Sequence, residues 1–351
     1  MSYALTLLLF LVVSLLIPFK INKCESEQGL FLIDHMVPVR GFCALVIFLL
    51  HLCYPWAEPH TEYYVRQYAY MAVGMFFLLS GYGLFLGMQK VGKKHYFKEY
   101  FKKRIPRLML PYLIMLVVIL FLRCVLWGRG FNLLFFVSIF TGDYVPNSWF
   151  VYALLLFYIF FYFCFRFFDN KKAILLLFGL IAICCGLVIG FRLNSFWIST
   201  CFMFPFGTVL GYFKKYILKL LKNNYLYCFL ISGGAVVLVE IMLRLFKLGD
   251  WTYTVCYNIR AAVFLSFCAV VLYKIRLNNP ALKFLGNISY EFYLVHGFIM
   301  SVVEYQFAHA WPVFSNSYVF AFSSLILSAA AAYALRLLDN RILNKKTAHR
   351  T

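Results

Sequence analysis

The chain has 351 residues, of which 64% are hydrophobic and 13% are charged. A soluble domain is about half apolar and about a quarter charged, so a soluble globule is excluded and a polytopic membrane protein is expected. The net charge of +20 would suit a nucleic-acid binder, but its alternation along the chain assigns it to membrane topology instead.

Apolar runs long enough to cross a bilayer fall near 3–19, 38–56, 69–88, 107–127, 147–168, 173–191, 195–213, 225–246, 252–275, 284–303 and 318–337, which predicts eleven spans. The first run has no basic segment before it and no small-residue cleavage site after it. It therefore reads as a membrane helix rather than a signal peptide. The second run carries Arg40-Gly-Phe-Cys-Ala-Leu-Val-Ile-Phe-Leu-Leu-His51. At about 100° per residue, eleven steps return to within roughly 20° of the same helical face, with about 16 Å between the two positions. A cation near one membrane face and a titratable imidazole near mid-bilayer thus point the same way. Ionisable groups at that depth are costly and mark functional sites. Either residue alone would be explained by snorkelling or by a structural hydrogen bond; the aligned pair favours function.

The third run contains Phe76-Phe77-Leu78-Leu79-Ser80-Gly81-Tyr82-Gly83. Gly83 and Gly87 are spaced for close helix packing, while the hydroxyls of Ser80 and Tyr82 need partners inside a membrane and are candidates for lining a cavity. The stretch 89–107 is the most basic in the chain and ends in Arg104-Ile-Pro-Arg107. Pro106 suits a first helical turn. Arg104 and Arg107, three apart, share a face, and guanidinium groups bind phosphate bidentately. Lys103 adds to this cationic mouth, although most of the lysines read equally well as topology anchors. The apolar segment 131–141 is too short to span. Asn147-Ser148-Trp149-Phe150-Val151-Tyr152 opens the next span, where Trp and Tyr also suit an interfacial belt. Glu240 and Arg244 are spaced for an i,i+4 pair, and Arg123, Arg260 and Arg336 are placed to snorkel or to pair between helices. In Leu285-Gly-Asn-Ile-Ser289-Tyr290-Glu291-Phe-Tyr293-Leu-Val-His296, Ser289, Tyr293 and His296 lie on one face.

Segments 20–37, 89–106, 166–172, 214–224, 274–283 and 338–351 hold 23 of the 33 Lys and Arg, whereas the alternate segments between spans hold four. This bias predicts that the first set is cytoplasmic, with the N-terminus outside and the C-terminus inside. The eleven cysteines lie mostly within the spans and form no C-x-x-C pair. Free core thiols and no metal site are expected. No internal repeat is present.

Taken in order, Arg40 with His51, Phe76 to Tyr82, Arg104-Ile-Pro-Arg107, Ser148-Trp149-Phe150, and Leu285 to Tyr290 with Tyr293-Leu-Val-His296 resemble the acyltransferase 3 family of membrane proteins. That family includes bacterial O-acetyltransferases of surface-glycan sugars. The resemblance covers residues 34 to about 337. It implies an all-α polytopic fold with a ten-helix core, to which the 3–19 run adds one extra N-terminal transmembrane helix. The chain divides accordingly into 1–33 (extra helix and cytoplasmic link), 34–337 (membrane acyltransferase domain) and 338–351 (basic cytoplasmic tail). The usual acidic residue before the Arg motif stands here at Asp34, with a longer gap to Arg40. No hydrolase-like domain follows the core, so transfer would fall to the membrane part alone.

The resemblance also implies an acyl-CoA donor, most simply acetyl-CoA, entering from the cytoplasm, and a carbohydrate acceptor reached from the other side of an inner (plasma) membrane. The expected partners are thus acyl-CoA, a carbohydrate and membrane lipid, without nucleic acid. Arg104, Arg107 and Lys103 would hold donor phosphates, and Arg40 would hold or polarise the donor deeper in. His51 is the expected general base, since an imidazole titrates near neutrality, or alternatively a transient acyl carrier. Ser80, Tyr82, Trp149, Tyr293 and His296 are expected to line the site. The alternative is a polytopic glycan exporter or flippase, in which the same polar residues would line a path. Such proteins often carry internal repeats and paired broken helices, and this chain shows neither in sequence.

Overall fold

The computed structural model describes residues 20–23, 33–56, 59–128, 148–192, 197–245, 250–307 and 310–348. A short strand, β1 (Lys20–Lys23), is followed by α1 (Ile33–Trp56), α2 (Pro59–Val91), α3 (Lys93–Lys98), α4 (Tyr100–Trp127), α5 (Trp149–Phe167), α6 (Asn170–Gly190), α7 (Met203–Tyr212), α8 (Lys214–Leu245) and α9 (Asp250–Lys274). The chain continues through β2 (Ile275–Asn278), α10 (Pro280–Asn287) and α11 (Ser289–Val302). A π-helical turn (Val303–Phe307) and a 3₁₀ turn (Pro312–Ser315) then lead to α12 (Ser317–Ala348). The fold is a helical bundle whose one departure from helix, among the described residues, is an antiparallel β1–β2 ribbon pairing Lys20 with Asn278 and Lys23 with Ile275.

Among the described residues, eight helices are long and apolar enough to cross a membrane, from His35–Leu52 in α1 to Tyr318–Leu343 in α12. They account for eight of the eleven expected spans. The 3–19 run and the short segment 131–141 lie outside the described residues. The remaining two expectations take a different form. Residues 203–212 of the expected 195–213 span form a ten-residue helix, α7, preceded by turns at 197–202. The 284–303 run is divided at Ile288 into α10 and the 14-residue α11, which continues into the π turn. Asn279 caps α10, its side chain accepting from the Leu282 N–H at 3.0 Å, with Pro280 next to it. That strong N-terminus starts a new helix just before the apolar run.

Two glycine seams hold the centre together. A methyl group at Gly41 of α1 would strike the Leu282 carbonyl of α10, and one at Gly286 of α10 would strike the Val37 carbonyl of α1. Gly81 of α2 and Gly207 of α7 make the same reciprocal arrangement with the Phe204 and Leu78 carbonyls. Without Cβ atoms the backbones touch, as in small-residue helix contacts in membranes. Gly81, not Gly83, makes the approach expected on α2: nothing lies within 4 Å of a methyl at Gly83, and Gly87 instead makes room for the Tyr96 ring and the Arg104 guanidinium.

The α1 seam extends through Phe48 against Phe292, with ring centroids 5.7 Å apart, to His51 against His296. Positions rising along α1 meet positions rising along α10 and α11, so these helices run parallel. Parallel neighbours must start on the same side, which agrees with the relative sidedness that the lysine and arginine alternation predicts. A stack of aromatic rings fills the space beside the seam. Phe77 lies 4.9 Å from Phe150, and Phe161 lies 4.4 Å from Phe165.

Candidate active site

Helix α1 carries both polar residues of the motif, and α11 supplies the opposing wall. His51 is half-buried and its ring centroid lies 5.1 Å from that of His296, which has no exposure at all. His296 Nδ1 lies 3.0 Å from the Phe292 carbonyl oxygen. A carbonyl only accepts, so Nδ1 carries the proton and Nε2 presents a lone pair. Nε2 has no hydrogen-bond partner among the described residues. A buried acceptor left unpaired costs about 1–3 kcal/mol, and such a group is an opening for an N–H or O–H donor. Tyr293, also buried, packs its ring 5.9 Å from His296 and 5.0 Å from Phe150.

Arg40 sits two turns into α1 and is half-buried, its Nε unpartnered among the described residues. It lies within electrostatic reach of Glu291 and Arg336. Glu291, only 2% exposed, accepts from Arg336 Nη1 at 3.1 Å, and its second oxygen, Oε2, has no partner among the described residues. Its place in the first turn of α11 suits a carboxylate, because the helix dipole is positive there. Asp339 on α12 is buried nearby, in electrostatic reach of Glu291, Arg336 and Arg107. A mixed-charge cluster from α1, α4, α11 and α12 thus lies on the same side of the bundle as the N-terminal ends of α1 and α11.

The basic mouth is built differently from the simple two-pronged site that spacing predicts. Helix α4 starts at Tyr100, so Pro106 lies inside the helix rather than in its first turn. Arg104 is half-buried and turned inward; Nη2 donates to the Tyr96 hydroxyl at 3.3 Å. Burial raises the pKa of that hydroxyl, and the adjacent guanidinium pulls it back down. Arg107 and Lys103 are exposed.

Further hydroxyl contacts lie around Arg104, which is in electrostatic reach of Tyr158. Ser80 hydrogen-bonds Tyr158, the Tyr100 hydroxyl donates to the Tyr158 carbonyl at 3.0 Å, and the Tyr290 hydroxyl donates to the Leu108 carbonyl. Tyr82, two residues after Ser80, lies about 200° around the helix from it and is buried.

At the far end of α5, Trp149 is half-buried between Phe77 and Trp197, at 6.4 and 6.1 Å. Ser148 is fully buried and hydrogen-bonds Tyr112, whose hydroxyl is 2.7 Å from that of Tyr152. Ser289, on the expected face with Tyr293, instead turns back to donate to the Gly286 carbonyl at 3.0 Å. Among the described residues no group of three His, Cys, Asp or Glu is placed to hold a metal ion.

The structure therefore joins His51 to His296, which packs on Tyr293, and sets Ser80 and Arg104 near the same Tyr158 hydroxyl. It places Trp149 at the opposite end, against Phe77 and Trp197. Sequence reasoning did not single out Tyr96, Tyr100, Tyr112, Tyr158 or Asp339. Tyrosine is abundant here, with 26 in the chain, and no spacing rule separates those that point inward. Asp339 falls two residues past the last apolar run at 318–337, and only the structure extends that helix over it.

An aligned Arg and His on the central helix, with Arg104 at one mouth and Trp149 at the other, is the pattern that comparison with known families tests. The family model of acyltransferase 3, described as an acyltransferase domain, matches residues 39–336. The chain belongs to the acyltransferase 3 family. No curated protein and no solved structure matches it. The matched stretch begins just before Arg40 and ends at Arg336, so it contains the two imidazoles, the Arg pair and the charge cluster apart from Asp339. This member of the family is thus a membrane acyltransferase.

Proposed function

We propose that this acyltransferase moves an acetyl group from cytoplasmic acetyl-CoA, or another acyl-CoA, to a hydroxyl of a cell-surface carbohydrate. It would work in the inner (plasma) membrane with its N-terminus outside and its C-terminus in the cytoplasm. The observation that carries this reading is the contact between His51 and a His296 whose tautomer is set by the Phe292 carbonyl. With Nδ1 protonated, His296 Nε2 can accept from one nitrogen of His51. The other His51 nitrogen is then a lone-pair base, oriented as a catalytic base is by a third group.

The reaction follows from that arrangement. His51 takes the proton of the acceptor hydroxyl as its oxygen attacks the thioester carbonyl carbon. The new C–O bond forms, the C–S bond breaks, and the leaving thiolate recovers the proton from His51. Arg104 and Arg107, with Lys103 beside them, hold the phosphates of the donor. Arg40, between that mouth and His51, neutralises charge building on the thioester oxygen. Trp149 and Trp197 form an aromatic wall at the acceptor end, where flat rings suit the apolar faces of a sugar.

The test is acyl transfer by purified, lipid-reconstituted protein given acetyl-CoA and surface glycan. His51→Ala should abolish transfer at unchanged abundance. His296→Ala should lower it by about 10²- to 10⁴-fold, the range of a general base that has lost its function. Wild-type transfer by His51→Ala would refute the mechanism. Transport of glycan without thioester consumption would identify an exporter instead.

A further inference from the structure

We propose that Cys185 and Cys201 are joined as a disulfide that ties α6 to the turn before α7. Their sulfurs lie 3.2 Å apart, so about 1.2 Å of approach reaches the bond length of about 2.05 Å. Both residues are buried, at 5% and 2% exposure. The pairing is specific on each side. Cys184 precedes Cys185 but is about 100° around the helix and half-buried. Cys201 is held in place by Sγ to the Ile198 carbonyl, at 3.3 Å.

The location favours oxidation. Helix α6 starts beside Lys171 and Lys172 and is capped by Asp169, so under the charge alternation Cys185 lies in the half remote from the cytoplasm. Structural disulfides form on that side of a cell membrane. The tied segment matters to the fold around the acceptor end. Residues 197–202 carry Trp197, which packs on Trp149. Asn258 holds the same segment at both ends, donating to the Ile198 carbonyl at 2.7 Å and accepting from the Phe202 N–H at 3.1 Å. A covalent bond to α6 would fix its remaining side.

The chemistry balances as a two-electron exchange. Cys185 and Cys201 lose two protons and two electrons as the Sγ–Sγ bond forms. An oxidoreductase disulfide in the oxidising compartment takes them up and becomes a dithiol, through a mixed disulfide with one of the two sulfurs. Because both sulfurs are shielded in the folded chain, the exchange belongs to insertion and folding.

The experiment is sequential thiol labelling of the full-length protein. Membranes from aerobically grown cells are denatured in N-ethylmaleimide, reduced, and labelled with a heavier maleimide before peptide mapping. The second label is expected on Cys201 and on the peptide of Cys184 and Cys185 in most molecules, with the other thiols carrying the first. Cys184→Ser should leave the second label on Cys201, and Cys185→Ser should move Cys201 to the first label. Because labelling follows denaturation, the wild-type map stands even if a variant folds poorly. First label on Cys185 and Cys201 in most wild-type molecules, or loss of the link in Cys184→Ser with its retention in Cys185→Ser, would overturn the proposal.

Discussion

Replacing Gly286 by alanine tests whether the α1–α10 seam sets the active-site geometry. The added methyl group would strike the Val37 carbonyl, lie 2.6 Å from the Val37 carbonyl carbon and lie 3.0 Å from its Cγ1. Ordinary contact begins at 3.4 Å and the carbonyl oxygen lies nearer than its carbon, so the two backbones must part by more than 0.8 Å. Backbone cannot yield as a flexible side chain does. Overpacking of this kind costs about 1–3 kcal/mol. The same displacement acts on the imidazole pair, because α1 carries His51 and α10 leads directly into the helix of His296. A misplacement of about 1 Å in a catalytic constellation costs on the order of 10²-fold in rate.

The matched control is Gly83→Ala on α2, where nothing lies within 4 Å of the new methyl. There alanine should be neutral or stabilising by about 0.5–1 kcal/mol, the difference in helix preference. The assay is thermal unfolding in detergent together with acyl transfer per folded molecule. A Gly286→Ala protein with wild-type melting temperature and wild-type transfer would refute the argument, and so would a Gly83→Ala defect of equal size.

Three further outcomes are expected. Arg107→Ala should weaken donor binding by roughly ten- to a hundredfold, the cost of one charge-assisted hydrogen-bond partner. Arg107→Lys should restore only part of it, and equal acyl-CoA affinity in all three proteins by titration would leave Arg107 as a topology anchor. Glu240→Ala removes the carboxylate partner of the Arg260 guanidinium, which is 3% exposed and makes two hydrogen bonds to Glu240 at 2.5 and 2.7 Å. It should cost about 3–5 kcal/mol, whereas the double variant Glu240→Leu with Arg260→Met should recover most of the stability; unfolding curves of the three proteins decide this. Asn279→Ala removes the cap of α10 and should cost about 1 kcal/mol, seen as a lower melting temperature with transfer per folded molecule retained.

Helical spacing was legible without coordinates wherever the governing interaction is local. Arg40 and His51 share a face because eleven residues nearly close three turns, and no neighbour is needed to establish that. The same is true of the membrane class, which follows from the length of apolar runs. Local rules misled where a tertiary partner was stronger. Glu240 is spaced for Arg244, yet pairs with Arg260 across the α8–α9 contact, because a guanidinium buried between helices gains more from a carboxylate than one near a helix end. Pro106 has the chemistry of a first turn, yet α4 begins six residues earlier at Tyr100, where the buried tyrosine packs into the bundle. Gly83 and Gly87 carry the packing signature, yet Gly81 makes the backbone contact, since rotation of α2 is decided by what α7 offers.

The amino-acid sequence determined that this chain crosses a membrane, and which of its polar residues share a helical face. That His51 meets His296, that Arg104 meets Tyr96, and that Glu291 meets Arg336 was decided only by the tertiary structure. Each of those contacts depends on how close two separate helices come and how they are turned, and a few missing Cβ atoms at backbone seams set that distance.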